Sequence, residues 1–333
     1  MKKKLTIIIP IYNPILPIEK ILNNIYKQKS EDFNAIIVID NPKNDHFYEL
    51  DKLQNKNYEN LKIIFNTSHQ NFDIKLKEVL NFVETPYIYI LYQNYKIKSE
   101  FIERINLFLE NLETQPDLIE IPFSKKEFLY SIYKDEILPS LGLVELEKNN
   151  LPIALASQSI FNYIVKKEMI EEVINKWKIK DLNFENSTKF IFEVILKSKT
   201  YIYFKNTWIR DLNGKFFMFN IQSLSRTWNS IIASIAQDQI DKKNAIEFAR
   251  FMSYCYYIAG FLGIFKIKND SLKSKVFNNM SESLLKEIEK QKEFWLKEIN
   301  ENPYFKQFKI SDLNELTNQF TKKWNLIFKK FVW

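Results

Sequence analysis

A run of seven residues near the start, Leu5-Thr6-Ile7-Ile8-Ile9-Pro10-Ile11, constrains the fold more than any other feature of the chain. It is rich in β-branched residues and carries no charge. A strand with one wet face alternates apolar and polar residues, whereas a continuous apolar run fits a strand covered on both faces, as in a parallel sheet. The lysines before it, Lys2 to Lys4, imitate the start of a secretion signal, but Pro10, Asn13, Pro14 and Pro17 interrupt the apolar stretch and no small-residue cleavage site follows. The run therefore reads as a buried first strand.

Strand and helix signals then alternate. Ile18, Ile21, Leu22 and Ile25 have helical spacing over 18–26. Residues 35–39 form a second apolar run that ends at Asp40. A helix is expected over 47–53, a strand over 61–65, and an amphipathic helix over 74–83 with Leu76, Val79, Leu80 and Val83 on one face. Residues 87–91 read as a fourth strand. Such alternation points to an α/β sheet flanked by helices, and ligands of such sheets bind outside the carboxyl ends of the strands. The loops after Ile11, Ile39 and Leu91 are the places to look for a site.

Beyond residue 119 the pattern loosens. Strands are expected over 118–123, 159–165 and 200–204, helices over 167–177 and 190–196, and an irregular region over 135–150. After about residue 211 the chain turns to long amphipathic helices, one marked by Ile221, Leu224, Trp228, Ile231 and Ile235, others over 246–265 and 271–300. Ser311 can cap a last helix running to Trp333. The expected division is residues 1–212 as an α/β domain and 213–333 as a helical region.

Composition removes several functions. Of 333 residues only four are glycine (Gly142, Gly214, Gly260 and Gly263), so neither a dinucleotide-binding glycine fingerprint nor a phosphate-binding P-loop can be written. Cys255 is the single cysteine, which excludes an intrachain disulfide and a cysteine-based zinc site and suits a reducing compartment. His46 and His69 are the only histidines. The net charge of +7 suits either anionic partners or a solubilising surface. No nucleic-acid motif or dense basic cluster accompanies it, so no nucleic-acid partner is expected. No apolar stretch reaches the ~20 residues a membrane-spanning helix needs.

In order and spacing, the segments resemble family 2 glycosyltransferases of the GT-A fold. Residues 5–13 match the opening strand and Pro-x-Tyr-Asn turn through Pro10, Ile11, Tyr12 and Asn13. Ile36-Ile37-Val38-Ile39-Asp40-Asn41 stands where the family has its Val-Asp-Asp strand end, and Trp208-Ile209-Arg210 resembles the closing Tyr-Arg segment. The resemblance covers about residues 5–212. It implies a Rossmann-like, mostly parallel sheet and transfer of a sugar from a nucleotide-sugar donor, most simply a UDP-sugar, to a glycan or lipid acceptor.

By that resemblance the nucleotide would contact Pro10, Ile11, Tyr12, Asn13, Asp40, Lys77, Gln93 and Asn94. Tyr12 could stack on the base or serve as a core aromatic at a strand end. Asp40 could accept hydrogen bonds from base or ribose, since a carboxylate takes two donors at once, or cap a turn. Lys75 and Lys77 could meet phosphate as point charges or line a solvated helix face. Glu185, in Phe184-Glu185-Asn186, stands nearest to the family's general base, and could equally be a first-turn acid favoured by the helix dipole.

The sequence also departs from the family. The Asp-x-Asp that holds Mg²⁺ or Mn²⁺ on the diphosphate is replaced by Tyr92-Gln93-Asn94, so no metal ligand is assigned and neutral oxygens alone make a weak cation site. One outcome is a metal-independent transferase. The other is a non-catalytic relative that binds a nucleotide sugar or scaffolds a partner. The last helix, with Leu313, Leu316, Phe320, Trp324, Ile327, Phe328 and Phe331 on one face and lysines beside it, suits either a membrane surface or the protein's own core. The expected location is cytoplasmic, peripheral at the inner membrane face if that helix binds lipid.

Overall fold

The computed structural model describes residues 3–12, 17–40, 42, 48, 60–66, 72–93, 95–125, 130–132, 138, 142–176, 187–211, 221–267, 282–283 and 286–312. The chain divides into two compact units. The first comprises Met1–Phe123, Pro139–Val144 and Ser159–Leu212; the second comprises Ser124–Leu138, Glu145–Gln158 and Asn213–Trp333.

The first unit is built on a mixed, mostly parallel sheet. Its strands are β1 (Leu5–Tyr12), β2 (Asn34–Asp40), β3 (Leu61–Asn66), β4 (Tyr87–Ile90), β6 (Leu118–Glu120), β10 (Tyr163–Lys166) and β11 (Thr200–Tyr203), with β9 (Val144–Glu145) at one end. Further strands are β5 (Tyr95–Ile97), β7 (Phe123–Lys125), which begins at the last residue before the second unit, and β12 (Ile209–Asp211), while β8 (Tyr130–Ile132) belongs to the second unit. The large sheet runs β3-β2-β1-β4-β10-β6-β11-β9. β1 pairs in parallel with β2 on one side and β4 on the other, β2 pairs in parallel with β3, and β10 is antiparallel to both β4 and β6.

The apolar runs explain this arrangement. Ile7, Ile9, Ile37 and Ile39 are fully buried and Ile8 and Ile36 nearly so, so both faces of the central strands are covered, as the unbroken runs require. The covering helices are α1 (Ile18–Tyr26), α2 (Phe72–Leu80), α3 (Phe101–Glu110), α5 (Lys167–Lys176) and α6 (Ser187–Lys197), with α2 against α5 and α5 against α6. α1 buries Ile18, Ile21, Leu22 and Ile25, the four residues whose spacing predicts it.

Asp117 ties three strands together where β6 begins. Its Oδ1 is 2.8 Å from Lys166 Nζ, and its Oδ2 accepts the backbone N–H of Lys199 at 2.8 Å and of Thr200 at 3.1 Å. Four acceptor sites on one carboxylate make such a junction available.

The second unit is helical. It contains α4 (Leu151–Ala154), α7 (Ile221–Ala233), α8 (Ile240–Ile267), α9 (Lys292–Glu301) and α10 (Pro303–Gln307). Phe248, Trp295 and Phe305 are its buried aromatic centre. Asn302 caps α10 by accepting the Tyr304 N–H, and Pro303 opens the helix where a missing N–H costs nothing. Among the described residues no helix is long and apolar enough to cross a membrane.

The strand expected over 118–123 ends at Glu120, and three further expectations change in detail. The strand expected over 159–165 begins as a 3₁₀ turn, Ile160–Asn162, started by Ser159, whose hydroxyl accepts the Phe161 N–H. The helix expected over 246–265 starts earlier, at Ile240. The helix expected to Val83 ends at Leu80, although Val83 is buried just beyond it. Apart from Tyr48, the helix expected over 47–53 lies outside the described residues, as does the last helix over 313–333.

Candidate functional site

The chain leaves β1 for β2 and β3 on one side and later returns to β4 on the other. That reversal opens a crevice outside the carboxyl ends of the strands. At this edge the register sets Tyr12 beside Asp40 and Asp40 beside Asn66, one row across β1, β2 and β3. Residues in register on neighbouring parallel strands project to the same face, so Asp40 and Asn66 are side-by-side neighbours. Asp40 is 0% exposed.

A buried carboxylate needs compensation, and α2 delivers it. Lys75 Nζ lies 2.5 Å from Asp40 Oδ2, with both side chains buried. Burial pushes the Lys75 ammonium below its ordinary pKa, while the hydrogen bond it donates to the Asp40 carboxylate opposes that shift. A pair like this adds little net stability against an apolar pair of similar volume, but removing one partner costs about 3–5 kcal/mol. Two charges are thus retained at the strand ends, where apolar side chains would have packed as well.

Two more polar groups at this edge are incomplete. Asn66 is buried and its Nδ2 has no hydrogen-bond partner among the described residues; the same holds for Oε1 of Gln93, two residues beyond Leu91. Buried polar atoms are nearly always paired, so orphans mark places where something else completes the set.

After β4 the character changes. The Tyr92 ring lies 5.3 Å from that of Phe161 and 5.4 Å from that of Tyr95, and Tyr95 also packs on Phe123 at 5.4 Å. Tyr92 belongs to an aromatic cluster, at the position where a carboxylate would hold a divalent cation. Among the described residues no group of three or more His, Cys, Asp or Glu could hold a metal ion. The side chains at 92–94 do not fit a divalent cation, which prefers charged oxygen ligands.

The structure places the sequence-derived residues as follows. Pro10 and Ile11 are buried in β1, Tyr12 ends that strand, and Asp40 is its register partner. Lys77 is exposed on α2, whereas Lys75, two residues earlier, is the lysine that reaches Asp40. Gln93 is half-buried. Asn13, Asn94 and Glu185 lie outside the described residues. Sequence reasoning passed over Asn66 and placed Lys77, not Lys75, among the nucleotide contacts. A signal for Lys75 existed: it stands one helical turn before Val79, on the apolar face.

The family model of glycosyl transferase family 2 matches residues 6–173, which include the whole Tyr12–Asp40–Asn66 row and Lys75. The chain belongs to glycosyl transferase family 2. Its fold is GT-A-like, with a helical C-terminal region, and solved structures agree. The S. aureus TarS fragment 1–349 in complex with UDP-GlcNAc is 14% identical with a TM-score of 0.58, over 84% of this chain and 80% of that one. The same fragment in complex with UDP is 15% identical at a TM-score of 0.58, with the same coverage. The mannosyltransferase PcManGT from Pyrobaculum calidifontis, in complex with GDP-Man and Mn²⁺, is 10% identical at a TM-score of 0.55, over 86% of this chain and 81% of that one. Among curated proteins none matches the chain in sequence. The family's general chemistry is sugar transfer.

Proposed function

We propose that this family 2 chain binds a UDP-sugar at the carboxyl ends of β1 to β4 and transfers the sugar to a glycan or glycolipid acceptor. The observation that carries this reading is the buried Asp40, held by Lys75 and flanked by Asn66 with its unpaired N–H. A base such as uracil offers an N–H between two carbonyl oxygens. Asp40 accepts that N–H, and Asn66 donates to a carbonyl. Tyr12 and Asn13, assigned to the nucleotide by the family resemblance, add contacts to the base. Solved GT-A structures in complex with UDP-GlcNAc, UDP and GDP-Man support a nucleotide-sugar partner.

The transfer is a displacement at the anomeric carbon. The acceptor hydroxyl oxygen forms the new bond as the bond to the diphosphate oxygen breaks. The hydroxyl proton passes to a general base, a role assigned here to Glu185, and UDP leaves with the bonding pair. The C-terminal region is assigned a role in binding the acceptor, at a membrane surface where the acceptor is a lipid.

One observation favours a second reading. Tyr92 is part of the aromatic cluster and not of a cation site, which fits a relative that binds a nucleotide sugar without turning it over. The experiment is a turnover assay with labelled UDP-sugars, following UDP release and labelled product. Transfer to a glycan or lipid acceptor supports the first reading. Binding of UDP without turnover of any donor supports the second, and no binding of UDP contradicts both.

A further inference from the structure

We infer that Lys96 and Arg210, opposed across β5 and β12, form a binding site for a phosphate group. The two strands are antiparallel, with Arg210 and Lys96 as direct register partners. Both residues are exposed, while Tyr95, Ile97 and Ile209 beside them are buried. Like charges directly opposite on neighbouring strands destabilise a sheet. Cβ atoms at such positions are about 4.5–5.5 Å apart, so the two cationic side chains stand side by side on the exposed face of these strands.

Nothing acidic relieves it among the described residues. Neither Lys96 nor Arg210 forms an ion pair there. Nearby cations are treated differently: Glu100 gathers Lys29 at 2.9 Å, Arg104 at 2.7 Å and Lys98 at 3.4 Å. Opposed cations left without a carboxylate are explained by an anion that bridges them.

The geometry suits phosphate in particular. The Arg210 guanidinium lies 4.6 Å from the centroid of the Trp208 ring, which orients its planar fork. Arginine meets phosphate with two parallel hydrogen bonds and lysine adds a point charge. β5 also starts directly beyond β4: the Tyr95 N–H donates to the Tyr92 carbonyl at 2.9 Å, so Lys96 stands three residues after Gln93. The phosphate belongs either to the diphosphate of the donor or to an anionic acceptor. Only the donor alternative rests on the nucleotide reading above.

The test compares the wild type with Lys96→Glu and with a Lys96→Ala/Arg210→Ala double variant. Melting temperature and affinities for uridine, UDP and long-chain inorganic polyphosphate are measured, the last with UDP saturating. Lys96→Glu creates a cross-strand ion pair and is expected to melt above the wild type, and the double variant no lower than it. Both are expected to bind one phosphate-bearing probe about tenfold more weakly or worse, with uridine unchanged. A loss confined to UDP assigns the donor diphosphate; a loss confined to polyphosphate assigns the acceptor. Unchanged affinity for both overturns the inference, as does a parallel loss for uridine with a lower melting temperature, which would mean a structural role. A wild type that binds neither uridine nor UDP fails the nucleotide reading instead, and the polyphosphate comparison then decides alone.

Discussion

Lys75 on α2 and Asp40 at the end of β2 form a buried ion pair, 2.5 Å from Nζ to Oδ2, at the carboxyl edge of the parallel strands. The helix is held against the sheet by Leu76, Val79 and Leu80, all buried. Lys75 is therefore fixed by packing, and the carboxylate it meets is fixed by strand register with Tyr12 and Asn66. Apolar packing thus sets the position of a charged acceptor at the edge where a base would bind.

Lys75→Met leaves Asp40 buried beside an apolar side chain. Stability is expected to fall by about 3–5 kcal/mol, read from urea unfolding, and UDP affinity is expected to fall with it. Asp40→Leu/Lys75→Met removes both charges. It should recover most of the lost stability without recovering UDP binding. Recovery of both would show that the pair has no part in recognition.

The side chains at 92–94 do not suit a divalent cation. UDP affinity is accordingly expected to be the same in EDTA and in excess Mn²⁺, measured by calorimetry. An affinity that rises about tenfold or more with Mn²⁺ would place carboxylate ligands elsewhere in the chain.

Glu247 in the helical unit is a titrating group within the working pH range. Burial pushes its carboxyl up to about 7, against the nearby Arg250 and with Glu298 adding to the rise. Arg250 Nη1 is 3.5 Å from Glu247 Oε2. Between the unfolded value of 4.5 and about 7 the folded state keeps a proton that the unfolded state has lost. Stability contributed here is thus full below pH 4.5 and falls as pH rises to about 7. The loss is on the order of 3 kcal/mol. Glu247→Gln should flatten this part of the stability profile; an unchanged slope would assign it to another group.

Asp117 acts in the opposite direction. Burial raises its carboxyl pKa, but Lys166 and the N–H groups of Lys199 and Thr200 outweigh burial and hold it below the ordinary 3.8. Its contribution is present above the unfolded value and lost as pH falls through the folded one. Asp117→Asn should therefore lower stability at neutral pH and narrow the gap to the wild type in acid. A gap that stays constant down to pH 2 would contradict this assignment.

The central strands were legible because each is an unbroken apolar run, a pattern few other structures produce. α1 was legible from four residues in helical spacing. The three-residue strands β5 and β12 were not, because a strand that short shows no periodicity. α3 was overlooked although Phe101, Ile102, Ile105 and Leu109 are buried on one face. At the site, Asp40 stands out in sequence as a charge ending an apolar strand. Asn66 does not, because its interest lies in an unpaired N–H that only three-dimensional neighbours disclose. Lys77 was assigned to the nucleotide, although helical spacing sets Lys75 on the apolar face of α2 with Val79, the side that meets Asp40 at the sheet edge.

The most direct test of the account is a calorimetric titration of the wild type and of Asp40→Asn with UDP, with folding checked by circular dichroism. The account predicts saturable binding to the wild type and at least an approximately tenfold weaker affinity for the folded variant. Equal affinity for both would remove Asp40 from the site, and no binding to the wild type would contradict the nucleotide-sugar reading itself.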